Sequence, residues 1–521
     1  MLRKYPIGLQ SFRSLREGGY VYVDKTEIIH QLVTSGKYYF LSRPRRFGKS
    51  LLMDTIEELF KGSTKLFEGL WIEKQWDWSV TNPVIHFNFA EIPYKEVGLD
   101  EALNRELHRI ARELDIELAT DNLKDCFRNL IESAADRYGA AVILIDEYDK
   151  PLIDFLGDPG QLEANRAVMK NFYSVLKGRD EHIRFLLLTG VSRFSKVSLF
   201  SDLNHLRDIS MNGQFDHLAG ITQDELETNF GEELDQLRQQ DPDILAKIKN
   251  WYNGYSWGNR KRVYNPFSLL NFMADHEFNN YWFQTGTPTF FYEMILRNPA
   301  MEFPDGEVQA GPEALVDLLD QQPVYGGPGT IDPVTIMFQT GYLTVKAYDA
   351  EVRLYTLDFP NREVRESTQI FLLSAYSQGT YSKVRPNVLQ IAQAFRTDDM
   401  PRVMQLIDTL FAHIPNTLWT GATERFYHAI IHNTFGLLDI FMESERNYAG
   451  IRPDLTVFTK THIYVLEFKL DSSAAAALEQ VTGKDYFRPF AADPRTKVAL
   501  GINFSSERRG VAEYLSETIS E

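Results

Sequence analysis

Four short apolar runs, Tyr38–Leu41, Val84–Phe89, Val142–Ile145 and Phe185–Leu188, recur through the first 205 residues and are separated by stretches with helical spacing. Strands that read as continuous apolar runs, without polar alternation, are buried on both faces, which calls for a parallel sheet covered by helices on either side. That pattern sets an α/β fold for the first domain. Ser50–Phe60 (SLLMDTIEELF) and Asp100–Leu118 read as two of the covering helices.

A chain of 521 residues exceeds what one hydrophobic core supports. Its pattern changes three times. Residues 1–205 carry the sheet, residues 206–375 are aromatic-rich and mainly helical, 376–410 form a helical connector, and 411–521 return to a mixed α/β pattern as a small separate domain. Aromatic groups such as Trp251-Tyr252-Asn253-Gly254-Tyr255 and Asn280-Tyr281-Trp282-Phe283 read as core at this density, ahead of a base-stacking platform.

The only cysteine, Cys126, rules out an internal disulfide and an all-cysteine zinc site. The first residues lack an apolar leader, and no apolar run reaches the ~18 residues that span a bilayer. A soluble, cytoplasmic protein without a membrane partner is expected. The formal net charge of −17 disfavours indiscriminate binding to phosphate backbones. Nucleic acid would then need a local basic surface, with Arg43/Arg45/Arg46, Arg260-Lys261-Arg262 and Arg508-Arg509 as candidates.

Within Tyr39–Ser50 (YFLSRPRRFGKS) a strand runs into Gly48-Lys49-Ser50 and on into a helix. This is the context of a phosphate loop, in which backbone N–H groups surround the phosphates, lysine reaches the β and γ groups and the hydroxyl holds magnesium. Arg43 stands where the first glycine is usual, and Pro44 removes a donor, so the cradle depends on Arg46, Phe47, Gly48, Lys49 and Ser50, with Leu51 beside them. About a hundred residues on, Ala141–Ile145 delivers Asp146 and Glu147 to the end of an apolar strand. Asp146 is placed to complete a magnesium shell and Glu147 to deprotonate attacking water. A third strand ends in Leu188-Thr189-Gly190-Val191-Ser192-Arg193, where Arg193 either stabilises charge at the γ-phosphate or pairs with Asp202 or Asp208.

Four segments, PIGLQSFRSLREGGYVYVDKT, RPRRFGKSL, LIDEYDKP and LTGVSRFSKVSLFSDLNHLRDIS, together resemble the bacterial AAA-ATPase-like family, whose members join such a domain to a C-terminal PD-(D/E)XK nuclease-like domain. The resemblance covers nearly the whole chain. It implies a P-loop NTPase-type sheet domain, a helical, winged-helix-like middle and a restriction-endonuclease-like α/β domain at the end. It also implies that Pro6-Ile7-Gly8 and Tyr22–Lys25 lie near the base of the nucleotide.

Near the end, Pro453-Asp454-Leu455-Thr456-Val457-Phe458 and Ile463-Tyr464-Val465-Leu466-Glu467-Phe468-Lys469 flank a four-residue turn. In such a hairpin Phe458 opposes Ile463, and counting back by pairs places Asp454 opposite Glu467, with Lys469 on the same face. Paired carboxylates suit Mg2+ or Mn2+, and the lysine suits a scissile phosphate or its attacking water. Asp454, Glu467 and Lys469 resemble the signature of the nuclease superfamily. By the same resemblance Glu424, on a helix Glu424–Leu438, is a further metal ligand, and Gln480 and Lys484 are a supporting polar pair. His428 and His432 read as surface or core histidines. Two functions follow as expectations: an ATP-dependent nuclease acting on DNA or RNA, or a nucleotide-controlled switch whose nuclease-like domain only binds. A homo-oligomer suits either.

Overall fold

The computed structural model describes residues 3–192, 205–258, 261–284, 303–304, 306–315, 332–376, 381–412, 430, 433–434, 437, 453–484 and 486–519. The chain forms two compact units, one of Met1–Thr287 with Gly306–Val364, the other of Pro288–Asp305 with Arg365–Glu521. Most of the aromatic middle region therefore belongs to the first unit.

In that unit the apolar runs become parallel strands β1 (Tyr38–Ser42), β2 (Val84–Asn88), β3 (Ala141–Asp146) and β4 (Ile183–Gly190), with a short β5 (Arg207–Asp208), in the order β2-β3-β4-β1-β5. Every residue of β1 and β3 is buried, because helices cover both faces. One face packs against helices Thr26–Ser35 and Lys49–Phe60 through Leu32, Met53 and Ile56. On the opposite face Phe87 meets Phe127 and Phe172, whose rings stack 4.3 Å apart and belong to helices Leu123–Tyr138 and Pro159–Tyr173. The helix expected to reach Leu118 is Leu99–Glu113. It stops where Asp115 turns left-handed at φ 54°, and Ile116 N closes onto the Ala111 carbonyl at 2.8 Å.

The middle region adds helices Gln223–Asn229, Gly231–Gln240, Ile244–Tyr252 and Pro266–Asp275, and its aromatic residues are core: Trp251, Tyr252, Tyr264 and Phe272 are all buried in one cluster. It is less purely helical than its sequence reads. A short antiparallel pair, β6 (Ile221–Thr222) and β7 (Val263–Tyr264), precedes a three-stranded antiparallel sheet of β8 (Val308–Ala310), β9 (Thr344–Asp349) and β10 (Leu354–Asp358).

The second unit has helices Tyr381–Arg396 and Met400–Ala412, then a sheet of β11 (Leu455–Phe458), β12 (His462–Leu470), β13 (Thr496–Ser505) and β14 (Gly510–Ile519) in that spatial order. β12 and β13 are parallel, joined by helix Ala474–Gly483 packed across them. Gly501 allows that close packing, since a Cβ there would overlap the backbone of Ala474 and Leu478. Among the described residues no helix is long and apolar enough to cross a membrane. Gly501→Ala forces helix and sheet apart and is expected to destabilise the second unit by about 1–3 kcal/mol, read as a lower urea midpoint for that unit alone.

Candidate active sites

The loop that carries Gly48-Lys49-Ser50 begins where β1 ends and closes into helix Lys49–Phe60. Gly48 is the residue before that helix and sits at φ 87°, a left-handed conformation that a side chain would strain. Arg46 is also left-handed, at φ 67°, and its guanidinium lies 4.9 Å from the centre of the Phe267 ring. Arg43 is fully buried and points away from the loop's mouth. It donates to the carbonyls of Ser42 (2.8 Å) and Ser210 (2.7 Å) and lies 3.9 Å from the centre of the Trp257 ring. This corrects the expectation that Arg43 forms part of an exposed basic surface; Arg45 and Arg46 remain exposed. Phe47 is buried too, edge-on to Tyr255 and Trp257. Two more contacts hold the loop from behind: Trp282 Nε1 donates to the Arg45 carbonyl (3.2 Å), and Gly341 lies so close to Pro44 that a Cβ would come within 2.5 Å of its ring.

Strand β4 lies between β1 and β3, so its end faces the loop on one side and the acids on the other. Asp146 Oδ1 accepts from the Thr189 hydroxyl and from Glu147 N (3.0 Å). Glu147 adopts φ 52°, and burial raises its carboxyl above the ordinary value; Lys49 opposes the rise while Asp146 and Asp149 add to it. Lys49 is buried and donates to the carbonyls of Arg43 (2.9 Å) and Pro44 (3.0 Å). Burial lowers its pKa, and the charges of Asp146, Glu147 and Asp149 work against that. A cavity of about 460 Å³ opens here, lined by Arg45, Arg46, Lys49, Ser50, Glu147 and Asp149. Beside it lies an apolar cavity of about 100 Å³ lined by Pro6, Tyr22, Val23, Phe47, Leu51 and Leu270.

In the second unit β11 and β12 form the expected hairpin, with Phe458 opposite Ile463 and Leu455 opposite Leu466. Continuing that register brings Asp454 to Glu467, and Asp454 Oδ2 accepts from Phe468 N at 2.8 Å. Burial first and the Asp454 charge second push the Glu467 carboxyl up to about 7, against the pull of Lys469. Lys469 Nζ lies 3.7 Å from Glu467 Oε1 and donates to Gln480 Oε1 at 2.7 Å; the Gln480 amide in turn donates to Glu467. Glu467 Oε2 is buried without a hydrogen-bond partner.

A model described as "Predicted AAA-ATPase" matches residues 6–200, and one for the PD-(D/E)XK nuclease superfamily matches residues 422–514. A protein of Azotobacter chroococcum mcd 1, named only as an uncharacterized protein in the vnfD 5′ region, is 37% identical over 529 residues and 99% of each chain. The chain belongs to the AAA-ATPase-like family with a C-terminal PD-(D/E)XK nuclease-superfamily domain. No solved structure matches it.

In this AAA-ATPase-like protein the residues fit the groups that the family implies. Around Gly48–Ser50, a buried lysine that donates to its own loop's carbonyls and is flanked by two exposed arginines suits a polyphosphate. At the second site, the orphaned oxygen of Glu467 beside Asp454 suits a divalent cation. Arg193 and Glu424, like His428 and His432, lie outside the described residues. Among those described, no cluster of three metal-ligating side chains forms. Of the VDKT segment, Asp24 accepts from Thr26 N (2.8 Å) and Trp71 N (2.7 Å), while Lys25 is paired with Glu225 at 2.6 Å. These are fastenings of the fold. Asp149, three residues past Asp146, was missed in the sequence; its only signal was a further acid in the same turn.

A carboxyl raised in the folded state keeps its proton where an unfolded chain has released it, so stability falls as pH rises from the ordinary 4.5 to about 7. Glu467→Gln is therefore expected to gain stability over the native protein through that window, with the gain level above it. Mn2+, by stabilising the ionised form, should shrink the gap. Unfolding midpoints of the second unit at pH 5, 6, 7 and 8 measure it, and a gap independent of pH would contradict the burial of Glu467.

Proposed function

We propose that the protein binds ATP with Mg2+ at Gly48–Ser50, hydrolyses it, and through that cycle governs a metal-dependent phosphodiesterase site at Asp454, Glu467 and Lys469. One observation supports the first half above the rest: the buried Lys49 ammonium shares a cavity with Ser50, Glu147 and Asp149 and lies within the field of Asp146. Backbone N–H groups of Arg46 to Ser50 and the Lys49 ammonium would hold the phosphates, the Ser50 hydroxyl and Asp146 the magnesium, and Glu147 would accept a proton from water. Bound magnesium would add to the positive charge of Lys49 in stabilising charge on the phosphates. The adjoining apolar cavity suits the base, with Leu51 in its wall. Lys49→Ala removes a charged donor and should weaken ATP binding about 10- to 100-fold. Glu147→Gln should keep that affinity and lower turnover by about two orders of magnitude or more. Calorimetry with ATP and Mg2+, paired with phosphate release, separates the two.

For the second half, Asp454 and Glu467 would hold the cation and Lys469 the attacking water or scissile phosphate of a DNA or RNA strand. Cleavage of single-stranded, duplex or branched substrates with Mg2+ or Mn2+ should disappear in Glu467→Ala with Lys469→Ala; cutting that persists refutes the site. The net charge of −17 and the engagement of Lys469 by Gln480 favour a second reading, a nucleotide-controlled switch that binds a partner without cutting. It predicts no cleavage and an ATP-dependent complex or homo-oligomer that Lys49→Ala abolishes.

A further inference from the structure

The turn Thr189–Ser192, at the end of β4, is gripped from both sides. On the loop side, Ser42 Oγ donates to the Val191 carbonyl (2.6 Å) and Arg43 N to the Gly190 carbonyl (3.1 Å). On the acid side, Tyr148 N donates to the Thr189 carbonyl (3.0 Å) and the Tyr148 hydroxyl to the Ser192 carbonyl (3.1 Å). The acceptor that completes the grip is Asp149. Its Oδ2 receives Val191 N (3.0 Å), Ser192 N (2.7 Å) and the Ser192 hydroxyl (2.5 Å). Three donors converge on one oxygen of a carboxyl that is only 1% exposed; burial pushes its pKa up, while the bonds from Ser192 and the charge of Lys49 pull toward the ionised form. Gly190 has no room for a side chain, because a Cβ would stand 2.6 Å from the Tyr148 ring and 2.7 Å from Asp149 Oδ1.

Burying a carboxylate is costly even when it is well bonded, and a plain strand end does not require one. What distinguishes this turn is its cargo: the Thr189 hydroxyl donates to Asp146, while Val191 and Asp149 themselves line the phosphate cavity. Displacing the turn would carry with it the Thr189 hydroxyl that bonds Asp146 and so change the orientation of that carboxylate. We infer that Asp149 is a positioning residue of the ATP site, holding Thr189–Ser192 in register with the acid turn so that Thr189 orients the Asp146 carboxylate. This rests on the reading of the cavity as an ATP site and adds to it a residue that acts through Thr189 without touching the nucleotide.

The test is a double-mutant cycle of Asp149→Asn and Thr189→Val, with Ser192→Ala as a milder variant, in the full chain. ATP turnover is measured against Mg2+ concentration, and ATP affinity is measured separately in EDTA. Asp149→Asn and Thr189→Val should each lower kcat about 10- to 100-fold, as misplacement of a catalytic group does, and raise half-saturating Mg2+ several-fold. Affinity without magnesium should stay near that of the native protein. The double variant should be no worse than the poorer single one, because both act on one contact. Multiplying effects, an unchanged Mg2+ requirement, or ATP affinity falling in step with kcat would each overturn the inference. Should Asp149→Asn fail to fold, Ser192→Ala and Thr189→Val decide it, since a native Mg2+ requirement in both is equally fatal. A native chain that binds no ATP overturns the site and this inference together; one that hydrolyses ATP while Asp149→Asn matches it overturns this inference alone.

Discussion

The ammonium of Lys49 is buried at a place where desolvation works against its charge and lowers its pKa. The charges of Asp146, Glu147 and Asp149 oppose that effect, and two carbonyls accept from the ammonium. The carboxylates depend on it in return, since Lys49 is the first influence that restrains the rise of Glu147. Strand order follows from this arrangement. With β4 between β1 and β3, the tip of β4 fills the gap between cation and acids, and Thr189 joins the network there.

The two carbonyls that hold Lys49 belong to Arg43 and Pro44, the residues fastened most heavily from outside the loop. Arg43 is tied to Ser210 and Trp257, and Pro44 abuts Gly341. An arginine in place of the usual glycine is therefore a gain in anchorage. A desolvated guanidinium over an indole is worth roughly 2 kcal/mol, and its two carbonyl bonds add to that. The middle region thus sets the shape of the loop, and the half-buried Lys25–Glu225 pair ties the first 205 residues to the middle region a second time.

How far this could be read in advance depends on the range over which each feature is encoded. The buried parallel strands were legible because continuous apolar runs leave no other partner, and the Asp454–Glu467 pairing because a hairpin's register follows from its turn. Lys49, Asp146 and Glu147 were legible because each closes a short motif. Asp149 was not, since its meaning lies in the amides of Val191 and Ser192, more than forty positions away. The burial of Arg43 depends on Trp257, more than two hundred positions on, and three arginines within four positions look alike in sequence whichever one turns inward. The small sheet of β8, β9 and β10 escaped notice for a related reason: one of its strands has three residues, too few for alternation to show.

The two sites are unmet in opposite senses, which separates what each can take. At the loop the acids already have Lys49, and the exposed Arg45 and Arg46 line the same cavity, an arrangement that suits a negatively charged ligand. At the hairpin Lys469 stands 3.7 Å from Glu467 and is shared with Gln480, leaving one Glu467 oxygen without a partner and its carboxyl up to about 7. A free phosphate or nucleotide has little to gain at the second site until a cation arrives, whereas a cation at the first has little to gain until phosphates bring oxygens of their own. On the function proposed above the order of loading would be inverted between the two units, a nucleotide first where lysine is buried and a metal ion first where glutamate is.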